Sequence, residues 1–211
     1  RALAVFEQRG EPPYYVAVAV EERETTRIAA TAGTILDSDS QRIAHLDVEL
    51  RVGSPELDST HPLRGMSSLR DDARRSLNLP LDQDQDYALR HAVWKELDAR
   101  WRDAVERIVV VQSNQTVKVE EEIVAPDFEL REPTVDRQEV IFEGVDLAAW
   151  EQTLARVSGR LDASPLVHRS RAVLQVENLR ETFVDTEGSR IVHGGAWVRV
   201  GVSVGATATD G

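Results

Sequence analysis

The chain has 211 residues, 41% apolar and 29% charged, the balance of a globular protein with one large domain or two small ones. Its formal net charge is −12, with the arginines scattered among acids, so it repels phosphate backbones and nucleic acid is excluded as a partner. The absence of cysteine rules out disulfides, thiol catalysis and Cys-ligated zinc. No apolar run approaches the ~20 residues of a membrane helix, so no membrane partner is expected. Residues 1–20 carry no basic-then-apolar leader; the cytoplasm is favoured and export stays open.

In chain order, "RALAVFEQRG" reads as the end of a helix that Gly10 stops. "YYVAVAVEE" and "TTRIAATAG" read as two separate strands, the second ending at Gly33. "DSDSQ" (37–41) is turn chemistry, rich in side chains that bond their own backbone. In the strand that follows, Ala44, Leu46, Val48, Leu50 and Val52 face one way and His45, Asp47, Glu49 and Arg51 the other, a half-buried antiparallel pattern. Residues 53–81 read as loop-like, long enough to be either a functional excursion or to hide a short helix near 68–76.

A long central helix is expected over about 84–110, with Tyr87, Val93, Trp94, Leu97, Trp101, Val105 and Ile108 at spacings of three and four, both tryptophans buried. The stretch 114–140 reads as an extended crossing or as a continuation of that helix to Val119. Asp146 is a good N-cap for another helix, whose seam is Leu147, Trp150, Leu154, Val157 and Leu161. Three strand-like runs follow: "SRAVLQVEN", "ETFVDTEG" and "AWVRVGVSVGA".

The two ends match as units. Val20–Glu21 precede Gly33 as Val176–Glu177 precede Gly188, and Leu46, Val48, Leu50 and Val52 correspond to Val198, Val200, Val202 and Val204. The simplest reading is a duplicated α-β-β-β unit, with halves at about 1–54 and 145–206 and the long helix between them. The fold class is therefore α+β with antiparallel sheet, in a single domain over 1–211.

Catalytic signals are weak. "GVSVG" (201–205) matches the G-x-S-x-G elbow, but Ser203 sits inside an alternating strand with no helix after it. "DQDQD" (82–86) imitates half a calcium loop, yet Tyr87 and Val93 stand where Gly and Glu are needed. The five histidines form no H-E-x-x-H, and "EEE" (120–122) reads as a solvated face. Trp197, Arg199, Gly201, Ser203 and Gly205 share the polar face of the last strand, where small residues allow another backbone to come close. Trp197, Arg199 and Ser203 are the candidate contacts for a peptide or partner; simple sheet packing is the plainer reading of the same face.

"PYYVAVAVEE…AATAGTILDSDSQRIAHLDVELRVGSPELDSTHPLRG", with the later "VENLRETFVDTEGSRIVHGGAWVRVGVSVGA", resembles the N-terminal domain of TldD/PmbA-type proteins, called modulators of DNA gyrase or family U62 peptidases. The nearer likeness is to a divergent bacterial branch reading "PYYIAY" and "VRVGS…DNT" at these places. The resemblance implies an α+β N-terminal domain with antiparallel sheet. It would pack on a C-terminal domain carrying an H-E-x-x-x-H zinc site. It also implies homo- or heterodimers that cleave unfolded peptides.

This chain has no His-Glu dipeptide, so no catalytic or metal role transfers to any position and no cofactor is expected within it. The expected role is the non-catalytic half of a metallopeptidase, shaping the cleft and the dimer. The strands 44–52 and 196–204 would hold an extended peptide by backbone pairing. The alternatives are a non-enzymatic binding or assembly module, such as an inactive partner subunit, and a self-contained enzyme, for which the residues offer no constellation.

Overall fold

The computed structural model describes residues 2–63, 77–79, 85–115, 125–138 and 144–208. In chain order the elements are α1 (Ala2–Glu7), β1 (Pro13–Thr31), β2 (Thr34–Ser54), β3 (Leu57–Asp58), β4 (Leu77–Leu79), α2 (Gln85–Gln115), β5 (Val135–Arg137), α3 (Leu147–Asp162), β6 (Val167–Asp185) and β7 (Arg190–Ala206). The strands pair in the order β3-β2-β1-β6-β7-β5, with β4 also on β2. The class is α+β, as the alternation and the helical periods predicted. The helix expected near 68–76, the start of "DQDQD" and "EEE" at 120–122 lie outside the described residues.

Several expectations are corrected. "YYVAVAVEE" and "TTRIAATAG" are one strand of 19 residues, and so are "SRAVLQVEN" and "ETFVDTEG", so the repeated order is α-β-β rather than α-β-β-β. The charged centre of β1 suggested a break. It stays extended because neighbouring strands supply counter-charges: Arg42 pairs with Glu22 at 2.8 Å and Arg23 with Glu177 at 3.5 Å. "DSDSQ" is likewise strand, with the Ser40 and Thr26 hydroxyls 3.1 Å apart. The turn between β1 and β2 is Ala32–Gly33, where both residues have positive φ (46° and 81°), the geometry of a two-residue hairpin. The sheet is not purely antiparallel: β5 pairs parallel to β7, Val135 opposite Arg190. That strand lies within the stretch read as a crossing or a helix continuation, whose exposed alternation gave no burial signal. The supposed loop after Gly53 also holds β3 and β4.

The chain divides into two compact units. The first comprises residues 1–21, 44–137 and 181–192; the second comprises 22–43, 138–180 and 193–211. In the first unit, Leu46, Val48, Leu50 and Val52 are buried against Ala92, Leu97, Ala104, Ile108 and Val111 of α2, as the alternation of β2 required. Phe6 of α1 completes this core, its ring 5.8 Å from Trp94 and 5.5 Å from Trp101. The two tryptophans are only partly buried, because they flank the seam; Trp101 donates its indole N–H to Glu11 O at 2.8 Å. Tyr87, placed on the seam by spacing, is 69% exposed.

In the second unit, α3 packs Leu154, with Trp150 and Val157, on Ile28, Ala30, Ala172, Leu174 and Val176. Asp146 caps α3 as expected, its carboxylate accepting from Ala149 N–H at 3.0 Å. Ser158 of α3 is fully buried and donates to Ala155 O while accepting from Gly33 N–H. Gly33 and Gly159 touch backbone to backbone there: a Cβ added to Gly159 would lie 3.2 Å from Gly33 Cα.

Candidate functional site

Trp197, Arg199 and Ser203 lie on β7 and are all exposed. Strand alternation puts them on one face and Val198, Val200, Val202 and Val204 on the other. Those valines correspond in the sequence to the buried row of β2, but here they are 44–54% exposed. Among the described residues, β7 has β6 on one side, and on the other it has β5 only at Arg190–Val192. From residue 194 to 206 no strand is paired on that second edge among the described residues. The strand therefore offers two uncovered faces and a row of backbone donors and acceptors.

The glycines of β7 do different work. A Cβ on Gly194 would stand 2.1 Å from Leu179 O, so its absence lets β7 lie against β6. Gly195 lies under the Trp197 indole, 2.9 Å from where a Cβ would be, whereas Gly201 faces open space. Of the small residues expected to allow a close approach, Gly201 faces open space and a Cβ on Gly205 would lie 3.0 Å from His168 Nε2; the closest approaches are at Gly194 and Gly195, which the sequence did not single out.

A second constellation, absent from the sequence-based site list, sits in the first unit within "VRVGSPELDST". Asp58 is fully buried. It accepts from Tyr14 Oη at 2.6 Å, Arg51 Nη1 at 2.9 Å, and the Thr60 N–H and Oγ1 at 2.6 Å each. Asp127 receives the Asp58 N–H at 2.9 Å and lies 2.7 Å from His61 Nδ1. The Arg51 guanidinium stacks 4.4 Å over the Phe128 ring and also pairs with Glu49 at 2.7 Å.

Burial alone would raise the Asp58 pKa, but the hydrogen bonds from Thr60, Tyr14 and Arg51 outweigh it and hold the carboxyl below its usual range. The Tyr14 hydroxyl is pushed up, first by burial and then by Asp58. Burial, with the charges of Glu49, Asp185 and Glu187, pushes Tyr15 up to about 12. A carboxylate has about four acceptor positions, and those of Asp58 are filled. The cluster fixes local geometry and leaves no ligand position open. The Asp-x-Thr spacing, an i to i+2 side-chain turn, was the available sequence signal.

A groove of about 300 Å³ in the second unit is lined by Glu22, Arg23, Glu24, Arg42, Arg180 and Asn178, among others. Its guanidiniums are matched by Glu22 and Glu177, with Arg180 3.9 Å from Glu22, so it is close to charge-balanced and no strong anion site. Among the described residues no group of three or more His, Asp or Glu side chains is placed to hold a metal.

No family model matches the sequence, and no curated protein does. Solved structures do align with it. A protein described as a modulator of DNA gyrase from Bacteroides thetaiotaomicron covers 99% of the chain at 9% identity and a TM-score of 0.49. TldE from Thermococcus kodakarensis covers 98% at 9% identity and a TM-score of 0.43. A second protein described as a gyrase modulator, from Thermotoga maritima, covers 100% at 11% identity and a TM-score of 0.44. The chain spans only 40%, 39% and 43% of these three structures. At this identity no residue role passes from them to this chain.

Proposed function

We propose that the chain is the non-catalytic N-terminal domain of a TldD/PmbA-like zinc metallopeptidase, and that β7 holds the unfolded peptide substrate by backbone pairing. The observation that carries the reading is the run of β7 from 194 to 206, whose outer edge has no strand partner among the described residues and can accept a strand in any sequence register. The sequence stretches resembling the family support it. Zinc and the cleavage chemistry belong to a C-terminal domain on which this one packs, and the whole protein works as a homo- or heterodimer.

The test uses the whole protein expressed from the parent reading frame. It should cleave unfolded peptides, and a chelator should abolish the activity. Adjacent residues of a strand point their N–H groups to opposite sides, so one of Val200→Pro and Gly201→Pro removes a donor from the open edge. That variant should stay folded and raise KM. A parent protein without H-E-x-x-x-H, or one whose cleavage ignores chelators, would sink the reading. If it still bound peptides, the non-enzymatic binding module would take its place.

A further inference from the structure

We propose that β7 discriminates among extended peptides, favouring those that set a carboxylate beside Arg199 and apolar, preferably β-branched, side chains beside Val198, Val200, Val202 and Val204. This rests on the reading of β7 as a peptide-pairing strand and adds a selectivity to it.

Charge carries the argument. The molecule has 37 acidic residues, yet none falls between Ile191 and Thr209, and Arg199 is the only Lys or Arg in that span. Other strand arginines meet carboxylates on their own or neighbouring strands: Arg42 with Glu22 at 2.8 Å, Arg51 with Glu49 at 2.7 Å, Arg23 with Glu177 at 3.5 Å. Arg199 is exposed and stands where the adjacent strand position is vacant among the described residues. A strand added there would put one side chain directly opposite it, about 5 Å away between Cβ atoms. An Asp or Glu would give Arg199 the kind of pair that Arg23, Arg42 and Arg51 have, and a Lys or Arg would be repelled.

The same reasoning makes a second copy of this chain the weaker occupant at low salt. Pairing β7 with β7 in any register places no carboxylate opposite Arg199, because the strand has none. Two copies also bring together two bodies of net charge −12. On the opposite face, valines about half exposed favour β-branched neighbours on the pleat. At Gly201 the space is open, so the position opposite takes a large side chain.

The experiment titrates the 211-residue chain into labelled peptides of about ten alternating Thr and Val residues, long enough to lie along the open edge. One peptide carries Glu at its centre and its twin carries Lys. The Glu peptide should bind about 3- to 10-fold more tightly at low salt, the gap narrowing as salt is added. Arg199→Glu, at an exposed position, should invert the preference. Equal binding of both peptides to both proteins would overturn the selectivity while leaving sequence-blind pairing intact. No binding of either peptide would overturn the pairing itself. A stable dimer at low salt whose formation excludes the peptide would hand β7 to a second copy and overturn the proposal.

Discussion

Burying a carboxylate disfavours its charge, and at Asp58 four donated hydrogen bonds more than offset that cost. The balance predicts what its loss does. Asp58→Asn should lower stability by about 2–4 kcal/mol at pH 7 in denaturant titrations, because Arg51 and Tyr14 keep their burial and lose a charged acceptor. Asp58 has a depressed pKa in the fold, so its contribution is whole above the unfolded value of about 3.9 and is lost as pH falls through the folded one. The gap between wild type and Asp58→Asn should therefore close in strong acid; a gap constant down to pH ~2 would contradict the assignment. Tyr15 gives the opposite limb. Its hydroxyl, pushed up to about 12, contributes below its unfolded pKa near 10 and stops contributing as pH rises through the folded value. Wild type should lose stability over that alkaline window, and Tyr15→Phe should lose less of it. Sequence reading reached Arg51 only as a residue on the wet face of β2. The meeting of Tyr14, Asp58 and Asp127 depends on chain returns that no local period encodes.

At the scale of elements, alternation located the buried row of β2 residue for residue, because a strand with one covered face writes its burial directly into the sequence. The same alternation in β7 matched its valines to the buried row of β2, yet about burial it is silent: an uncovered apolar row looks identical to a covered one until the layer above is known. Strand length was hidden for a different reason. The centres of β1 and β2 are polar on both faces, and backbone pairing with ion pairs across neighbouring strands keeps them extended without an apolar row to show it. Two glycines of β7 separate its packed beginning from its open end. Gly194→Ala should destabilise by more than about 2 kcal/mol, since its Cβ would overlap Leu179 O at 2.1 Å. Gly201→Ala meets nothing and trims backbone entropy, so it should stabilise by about 0.5–1 kcal/mol. Chemical denaturation of both variants decides it; equal effects would mean that β7 is packed alike along its length.

For the whole molecule the open run of β7 sets two forces against each other. A net charge of −12 keeps copies apart, while an edge with a single charged side chain over residues 194–206 and no proline invites strand pairing. Range decides between them. At physiological salt charges farther apart than about 8 Å are largely screened, and residues 194–206 carry only Arg199, so added salt weakens the repulsion of the distant acids and leaves the backbone pairing of the edge intact. Self-association should therefore rise with salt, the reverse of what salt-sensitive ion pairing would give. Val202→Lys places a charge on the exposed valine row, a device by which soluble proteins protect their edges. Its folding stability should stay within about 0.5 kcal/mol of wild type. Its light scattering at high salt should stay that of a dilute monomer, while the wild-type signal climbs. If Val202→Lys associates as readily as wild type, association runs through another surface, and the exposed valines are idle until a partner of different chemistry covers them.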